Sequence, residues 1–380
     1  MYDLIQPVSI DFDYQSAKDF GLFGGYIDIF TSTENFDINR YQIAIIGVEE
    51  ERNAVSNEGT RFAPNEIRKK LYELYPGKWN MNIIDLGNLI TGKDVEETYE
   101  NLGKLVHYIE KKAINLIVLG GSQDLTFGIT KKFDQHNKIY NLSVIDSIID
   151  SSLLDDEIDN ENYLTKIISH KFSHLNNLSI FGLQTYYNHP EKFNILNKLM
   201  IDYYKLGQIQ NQIHETEPEL READIVSIDI NAIKNSEMPG QAISRPNGLN
   251  GQEICTISRL AGIATKNKTL GIFEYNPYFD KNHLGANLIA QIIWYYIEGK
   301  NAYVEDYPDI PKEELIKFYV NNEIVKLNFY QNPKTRRWWV ELPGIESNGK
   351  LYACSKKDYK NAVNLNISER IYNIINKTSI

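Results

Sequence analysis

Histidine, cysteine and basic charge are all in short supply in this chain of 380 residues. Its two cysteines, Cys255 and Cys354, follow no spacing pattern. So few thiols argue against a disulfide framework and fit a reduced, cytoplasmic setting. Cys255 lies in a helical pattern with no adjacent histidine, so it reads as a small buried residue and not as a nucleophile. Lysine and arginine total 40 against 51 acidic residues, a formal net charge of −11. The average field repels phosphate, which argues against nucleic acid as a partner. No apolar run approaches the roughly 20 residues that cross a bilayer. The first residues, Met1 to Pro7, have neither the basic nor the apolar stretch of a secretion signal. Neither a membrane span nor a signal peptide is expected.

Apolar residues, at 42% of the chain, suffice for a large core. The length fits one α/β domain with an extension, or two domains. Residues 1–40 read as an irregular, aromatic lead-in. Short apolar runs rich in β-branched residues follow at 42–48, 82–87, 115–119, 143–145, 178–183, 225–230 and 269–274, each reading as a buried strand. Helical spacing appears between them at 63–71, 94–112, 161–170, 190–205, 251–266 and 283–298. Continuous apolar strands alternating with helices predict a parallel sheet covered on both faces, a three-layer α/β/α domain over 41–300. Ligands of such sheets bind beyond the carboxyl ends of the strands.

The pattern changes at a Pro-containing linker, residues 306–311. Beyond it, 323–330 and 337–342 alternate with period two around an Asn332-Pro333 turn, predicting a hairpin. A single helix is expected over 357–376. Residues 301–380 thus form a small β-rich C-terminal appendage. The Arg336-Arg337-Trp338-Trp339 run suggests one tryptophan in the core and its neighbour at the surface.

Several short segments sit where polar chemistry belongs. Gly120-Gly121-Ser122-Gln123-Asp124, Asp146-Ser147-Ile148-Ile149-Asp150, Ser227-Ile228-Asp229-Ile230-Asn231 and Glu274-Tyr275-Asn276-Pro277 each follow or end a predicted strand. Upstream runs Asn57-Glu58-Gly59-Thr60-Arg61-Phe62-Ala63-Pro64-Asn65-Glu66-Ile67-Arg68. The glycines after the 115–119 strand fit a tight turn; no phosphate-loop motif accompanies them.

This ordered set resembles the arginase/agmatinase/formimidoylglutamase (ureohydrolase) family, and within it the formimidoylglutamase-like branch. The family patterns are GGDHS, DxHxD, SxDxD and ExNP, preceded by N-x-G-x-R-x-A-P-x-x-I-R. The resemblance spans about two-thirds of the chain and implies the arginase-like fold and a two-manganese hydrolytic site. Carried over residue by residue, the first ion would meet Gln123, Asp146, Asp150 and Asp229. The second would meet Ile148 and Asn231 with shared Asp146 and Asp229. Glu274 would grip a substrate amidine or guanidinium by a charge-assisted pair; it reads equally as a strand-end turn residue. The loop 151–163 holds no counterpart of the family's shuttle histidine, and His170 and His174 read as surface or partly packed.

Both imidazole ligands are therefore replaced. Ile148 offers no lone pair, and Asn231 a neutral carbonyl where the family has a carboxylate. The remaining oxygens suit Mn²⁺, Mg²⁺ or Ca²⁺ and not Zn²⁺. Without a cation the clustered acids need a proton or a base, and Lys234 stands nearest in sequence. The first expectation is a catalytically inactive pseudoenzyme without a cofactor, acting as a binding or scaffold protein. The alternative is an amidinohydrolase working with one residual ion. Expected partners are an amidine or amino-acid ligand, a protein held by the C-terminal extension, and further copies of the chain.

Overall fold

A computed structural model describes residues 1–31, 36–152, 157–169, 174–321, 326–342 and 349–378. The lead-in comes first, with β1 (Ile5–Gln6), helices α1 (Tyr14–Asp19) and α2 (Phe23–Tyr26), and β2 (Asp28–Ile29). The core then runs β3 (Ile43–Gly47), α3 (Ala63–Tyr72), β4 (Ile83–Leu89), α4 (Val95–Lys111), β5 (Asn115–Leu119), α5 (Leu125–Gln135) and β6 (Tyr140–Ile145). It continues with α6 (Tyr163–Ser169), β7 (Leu175–Leu183), α7 (Pro190–Lys198), β8 (Asp202–Lys205), α8 (Leu206–Asn211), α9 (Glu217–Glu222) and β9 (Ile225–Asp229). Helix α10 (Gly251–Ile263), β10 (Thr269–Phe273) and α11 (Leu284–Asn301) complete it.

These strands form one sheet in the order β1-β4-β3-β5-β10-β9-β6-β7-β8, with β2 also on β4. All pairings are parallel except β1 with β4. Period two sorts the side chains: Ile43 and Ile45 enter the core under α3, α10 and α11, while Ala44 and Ile46 enter the core under α4 and α5. Both faces are covered, as the unbroken apolar runs predict. The lead-in is less irregular than its composition suggests, because β1 and β2 cap the β4 edge. No helix among the described residues is long and apolar enough to cross a membrane.

Two helical expectations need correction. The helix over 190–205 stops at Lys198; Met200 takes a left-handed turn at φ +52°, and Asp202–Lys205 becomes an edge strand paired with β7. Tyr203 and Tyr204 favour the pleated edge, where Tyr204 stacks on Phe181 at 5.0 Å. The helix over 357–376 is two, α12 (Lys356–Val363) and α13 (Glu369–Thr378), broken where Leu365 adopts φ +60°. Helices α5, α8 and α9 are additions that the periodicity did not flag.

The C-terminal segment holds an antiparallel sheet, β11 (Ile316–Asn321), β12 (Lys326–Gln331), β13 (Trp338–Glu341) and β14 (Leu351–Cys354), in sequence order. Residues 323–325 of the expected strand lie outside the described residues; β12 and β13 pair as a hairpin. Both tryptophans are buried, contrary to expectation, on opposite faces of the sheet. Trp338 packs with Phe318 and Tyr359. Trp339 lies under the guanidinium of Arg221, whose Cζ is 4.3 Å from the ring centre. The second face is covered by Tyr307 of the linker and Arg221 of α9, which seal Trp339 from solvent.

Candidate functional site

Four motif-bearing strands, distant in sequence, are neighbours in the sheet: β5, β10, β9 and β6 in that order. Each carries its polar residues at or just past its carboxyl end. Register puts Ile272 beside Leu119, Phe273 beside Asp229, and Ile228 beside Ile145. Asp146, Glu274 and the Gly120–Asp124 turn therefore emerge at one level. The turn is tight: a Cβ on Gly121 would lie 1.7 Å from the carbonyl oxygen of Glu50, so only glycine fits.

Asp146, Asp150 and Asp229 are buried, and one carboxylate oxygen from each lies within 4.8 Å of the others. Asp146 Oδ1 accepts from the Ile148 amide at 3.0 Å, and Asp229 Oδ1 from the Asn231 amide at 2.6 Å. These Asx turns hold the carboxylates inward at the strand ends. The triad opens on a cavity of about 170 Å³. Its lining also includes Asn57, Ile148, Asn160, Lys192, Asn231, Arg245 and Glu274. The half-buried side chain of Ile148 faces this cavity. Gln123 is not part of this lining: it is fully buried, its Nε2 3.3 Å from Ser227 Oγ.

Glu274 is held on both oxygens. Oε1 accepts from the Gln123 amide at 2.7 Å and Oε2 from Asn57 Nδ2 at 2.8 Å. Asn57 Oδ1 in turn accepts from Asn276 Nδ2 at 2.9 Å. The upstream motif and the Glu-Tyr-Asn-Pro motif are thus two halves of one clamp. Glu274 itself has φ +69°, a costly backbone for a non-glycine residue, fixed by the clamp.

The electrostatics follow from burial. Desolvation, then the charge of Asp146 and a proton shared with it, push the Asp150 carboxyl well above its ordinary range. Desolvation, then the charges of Asp146 and Glu274, do the same to Asp229. Burial raises Glu274 to about 7 against the pull of its amide donors. Such a cluster must hold protons or a cation.

Asp146 Oδ2, Gln123 Oε1 and Asn231 Oδ1 are buried and lack a hydrogen-bond donor among the described residues. The three clustered carboxylate oxygens fit one hard cation. A second ion of the family type does not fit, because Ile148 presents hydrocarbon where an imidazole is needed.

Lys234 does not serve as the counter-charge. It pairs with Glu237 at 2.6 Å and is absent from the cavity lining. Arg245, in the loop after β9, takes that place: it is 6% exposed, lines the cavity and draws the Asp146 and Asp229 carboxyls back down. Its sequence signal is faint, an arginine before the Pro246-Asn247-Gly248 turn. Asn160, Lys192 and Ser147 were also missed, since nothing in their spacing marks them. His174 sits at the amino end of β7, 3.6 Å from Asp134, at the opposite end of the sheet; His170 lies outside the described residues.

A mostly parallel sheet with an acidic cluster at the carboxyl ends of its central strands places the chain among three-layer α/β proteins with their site at that end of the sheet. The model of the arginase family matches residues 41–298, and the chain belongs to that family. Formimidoylglutamase of Macrococcus caseolyticus is 24% identical over 269 residues, covering 68% of this chain and 85% of that protein. Formimidoylglutamase of Bacillus subtilis is 21% identical, covering 67% and 86%. Among solved structures, Trypanosoma cruzi formiminoglutamase with Mn²⁺ superposes with a TM-score of 0.65 at 18% identity, covering 71% of this chain and 97% of that one. Agmatine ureohydrolase of Thermoplasma volcanium gives 0.59 at 18% identity, covering 70% and 92%. The antiparallel sheet over 316–354 lies beyond the matched residues.

Proposed function

We propose that this protein has abandoned two-manganese hydrolysis and acts as a binding protein, its pocket taking one hard cation and a small amidine or amino-acid ligand. The carrying observation is Ile148, which lines the cavity at the position where the family sequence has a metal-binding histidine. When bound, a hard cation would be held by Asp146, Asp150 and Asp229, and would supply Lewis acidity. Activating water well in this family's manner takes two ions and a proton shuttle. Here the second ion's ligands are an alkyl chain and a neutral amide, and loop 151–163 contains no histidine. Glu274 supports ligand binding: its carboxylate faces the cavity, positioned by Asn57 and Gln123, and would pair with a cationic amidine.

The deciding experiment is metal analysis of the full-length protein before and after Mn²⁺ loading, with turnover assays on formimidoylglutamate, arginine and agmatine. The expected result is no more than one ion per chain and no Mn²⁺-dependent turnover. Two ions per chain, with turnover abolished in Asp229→Ala, would overturn the proposal.

A further inference from the structure

Four buried carboxyl groups, those of Asp146, Asp150, Asp229 and Glu274, line one small cavity. Fully ionised they carry four negative charges, of which one divalent ion offsets half. The cavity contains a source for the rest. Arg245 Nη1 donates to Ser147 Oγ at 2.6 Å and lies 3.4 Å from the Asn231 carbonyl oxygen. Its guanidinium covers the Tyr187 ring at 5.2 Å. Ser147 is flanked by Asp146 and Ile148. The guanidinium is therefore anchored between the two segments, 146–148 and 229–231, that would frame a second ion. Lys192 lines the same cavity and donates to the Ile149 carbonyl at 2.7 Å. Glu161 also lines the cavity but is exposed at its mouth, where water solvates it.

We infer that Arg245 is a tethered cation standing in for the second metal ion, so that with Lys192 it leaves the pocket balanced by one divalent ion and closed to two. The inference deepens the single-cation reading above and rests on it. A guanidinium keeps its charge at every relevant pH and cannot dissociate. It donates to Ser147 Oγ and the Asn231 carbonyl and not to the carboxylates themselves, so it acts on the acidic cluster by its charge and without activating water. The alkyl side chain of Ile148 is then tolerated, because no ligand is needed beside a fixed organic cation. The charge of Arg245 acts on Asp146 and Asp229, the two carboxylates that two ions would share.

The test is calorimetric titration of Mn²⁺ alone into the chelator-stripped full-length protein and its variants. Removing a fixed positive charge from the lining of a cation site should tighten binding, so Arg245→Gln is expected to lower the Kd about tenfold. Lys192→Gln should shift it in the same direction by less, and Arg245→Lys, which keeps the charge, should stay near wild type. Unchanged or weaker binding in Arg245→Gln overturns the inference, as does the failure of every form to bind Mn²⁺. Should Arg245→Gln fail to fold, an unchanged Kd in Lys192→Gln overturns it instead. Two ions on the wild type would sink this inference and the function reading together, whereas one ion with an unchanged Kd in Arg245→Gln sinks this inference alone.

Discussion

Arg68 and Asp85 are both sealed from solvent and joined by two parallel hydrogen bonds, Nε to Oδ2 at 2.8 Å and Nη2 to Oδ1 at 3.0 Å. Tyr72 and the Gly87 amide donate to the same carboxylate, and Asn88 and the Gly87 carbonyl accept from the guanidinium. This fully satisfied pair bolts α3 to β4. Asp85→Asn preserves the shape and strands the guanidinium without a counter-charge, which is expected to cost about 3–5 kcal/mol. Urea denaturation reads that loss; a change under about 1 kcal/mol would mean that water reaches the site. At this scale the sequence was legible where a motif names a residue and opaque where a partner comes from elsewhere. Arg68 ends the upstream motif on α3, yet its partner lies on β4. Asp146, Asp150 and Asp229 were visible as strand-end acids, while Arg245 was not. Chain proximity favoured Lys234, and the folded loop delivers the more distant residue.

The elements of the main sheet were readable because burial on both faces demands unbroken apolar runs, and those runs end where the motifs begin. Edges and breaks were harder, since they depend on a neighbour: β8 exists because β7 offers it an edge, and α12 ends because Leu365 turns left-handed. The C-terminal sheet shows an element held by charge as well as by packing. Glu341 on β13 accepts from Lys312 at 2.5 Å, Asn328 at 2.9 Å and Tyr330 at 2.7 Å. Burial pushes this carboxyl up, but these donors pull harder and hold it at about 2, below its ordinary value of 4.5. A depressed folded pKa means that the stabilisation is complete above pH 4.5 and is lost as pH falls from there toward 2. Urea midpoints of the wild type at pH 6 and pH 3 should therefore differ by more than those of Glu341→Gln. Equal differences in the two proteins would show that the ion pair with Lys312 contributes nothing to the sheet.

Across the whole molecule, the appendage and the acidic pocket occupy opposite ends of the same strand. Helix α9 feeds the amino end of β9, and Asp229 stands at its carboxyl end. The docking is reciprocal. Arg221 of α9 reaches into the appendage, donating to the Trp338 carbonyl at 2.8 Å. Arg337 returns to Glu217 at 2.9 Å, and Arg370 of α13 to Glu219 at 2.6 Å, with Asp358 and the Glu215 carbonyl completing its shell. Arg370 is almost wholly buried, and burial also raises the Glu219 carboxyl that it compensates. Removing the arginine leaves that acid buried with Tyr204 as its remaining donor. Arg370→Met is expected to weaken docking by about 3–5 kcal/mol. The loss should be local, because the core carries its own two hydrophobic layers and the appendage its own. Limited proteolysis should then cut near the 306–311 linker and release a stable core, with the Mn²⁺ stoichiometry of the pocket unchanged. A shifted ion count in Arg370→Met would instead show that α9 and β9 couple the two sites, and would make the appendage a regulator of the pocket.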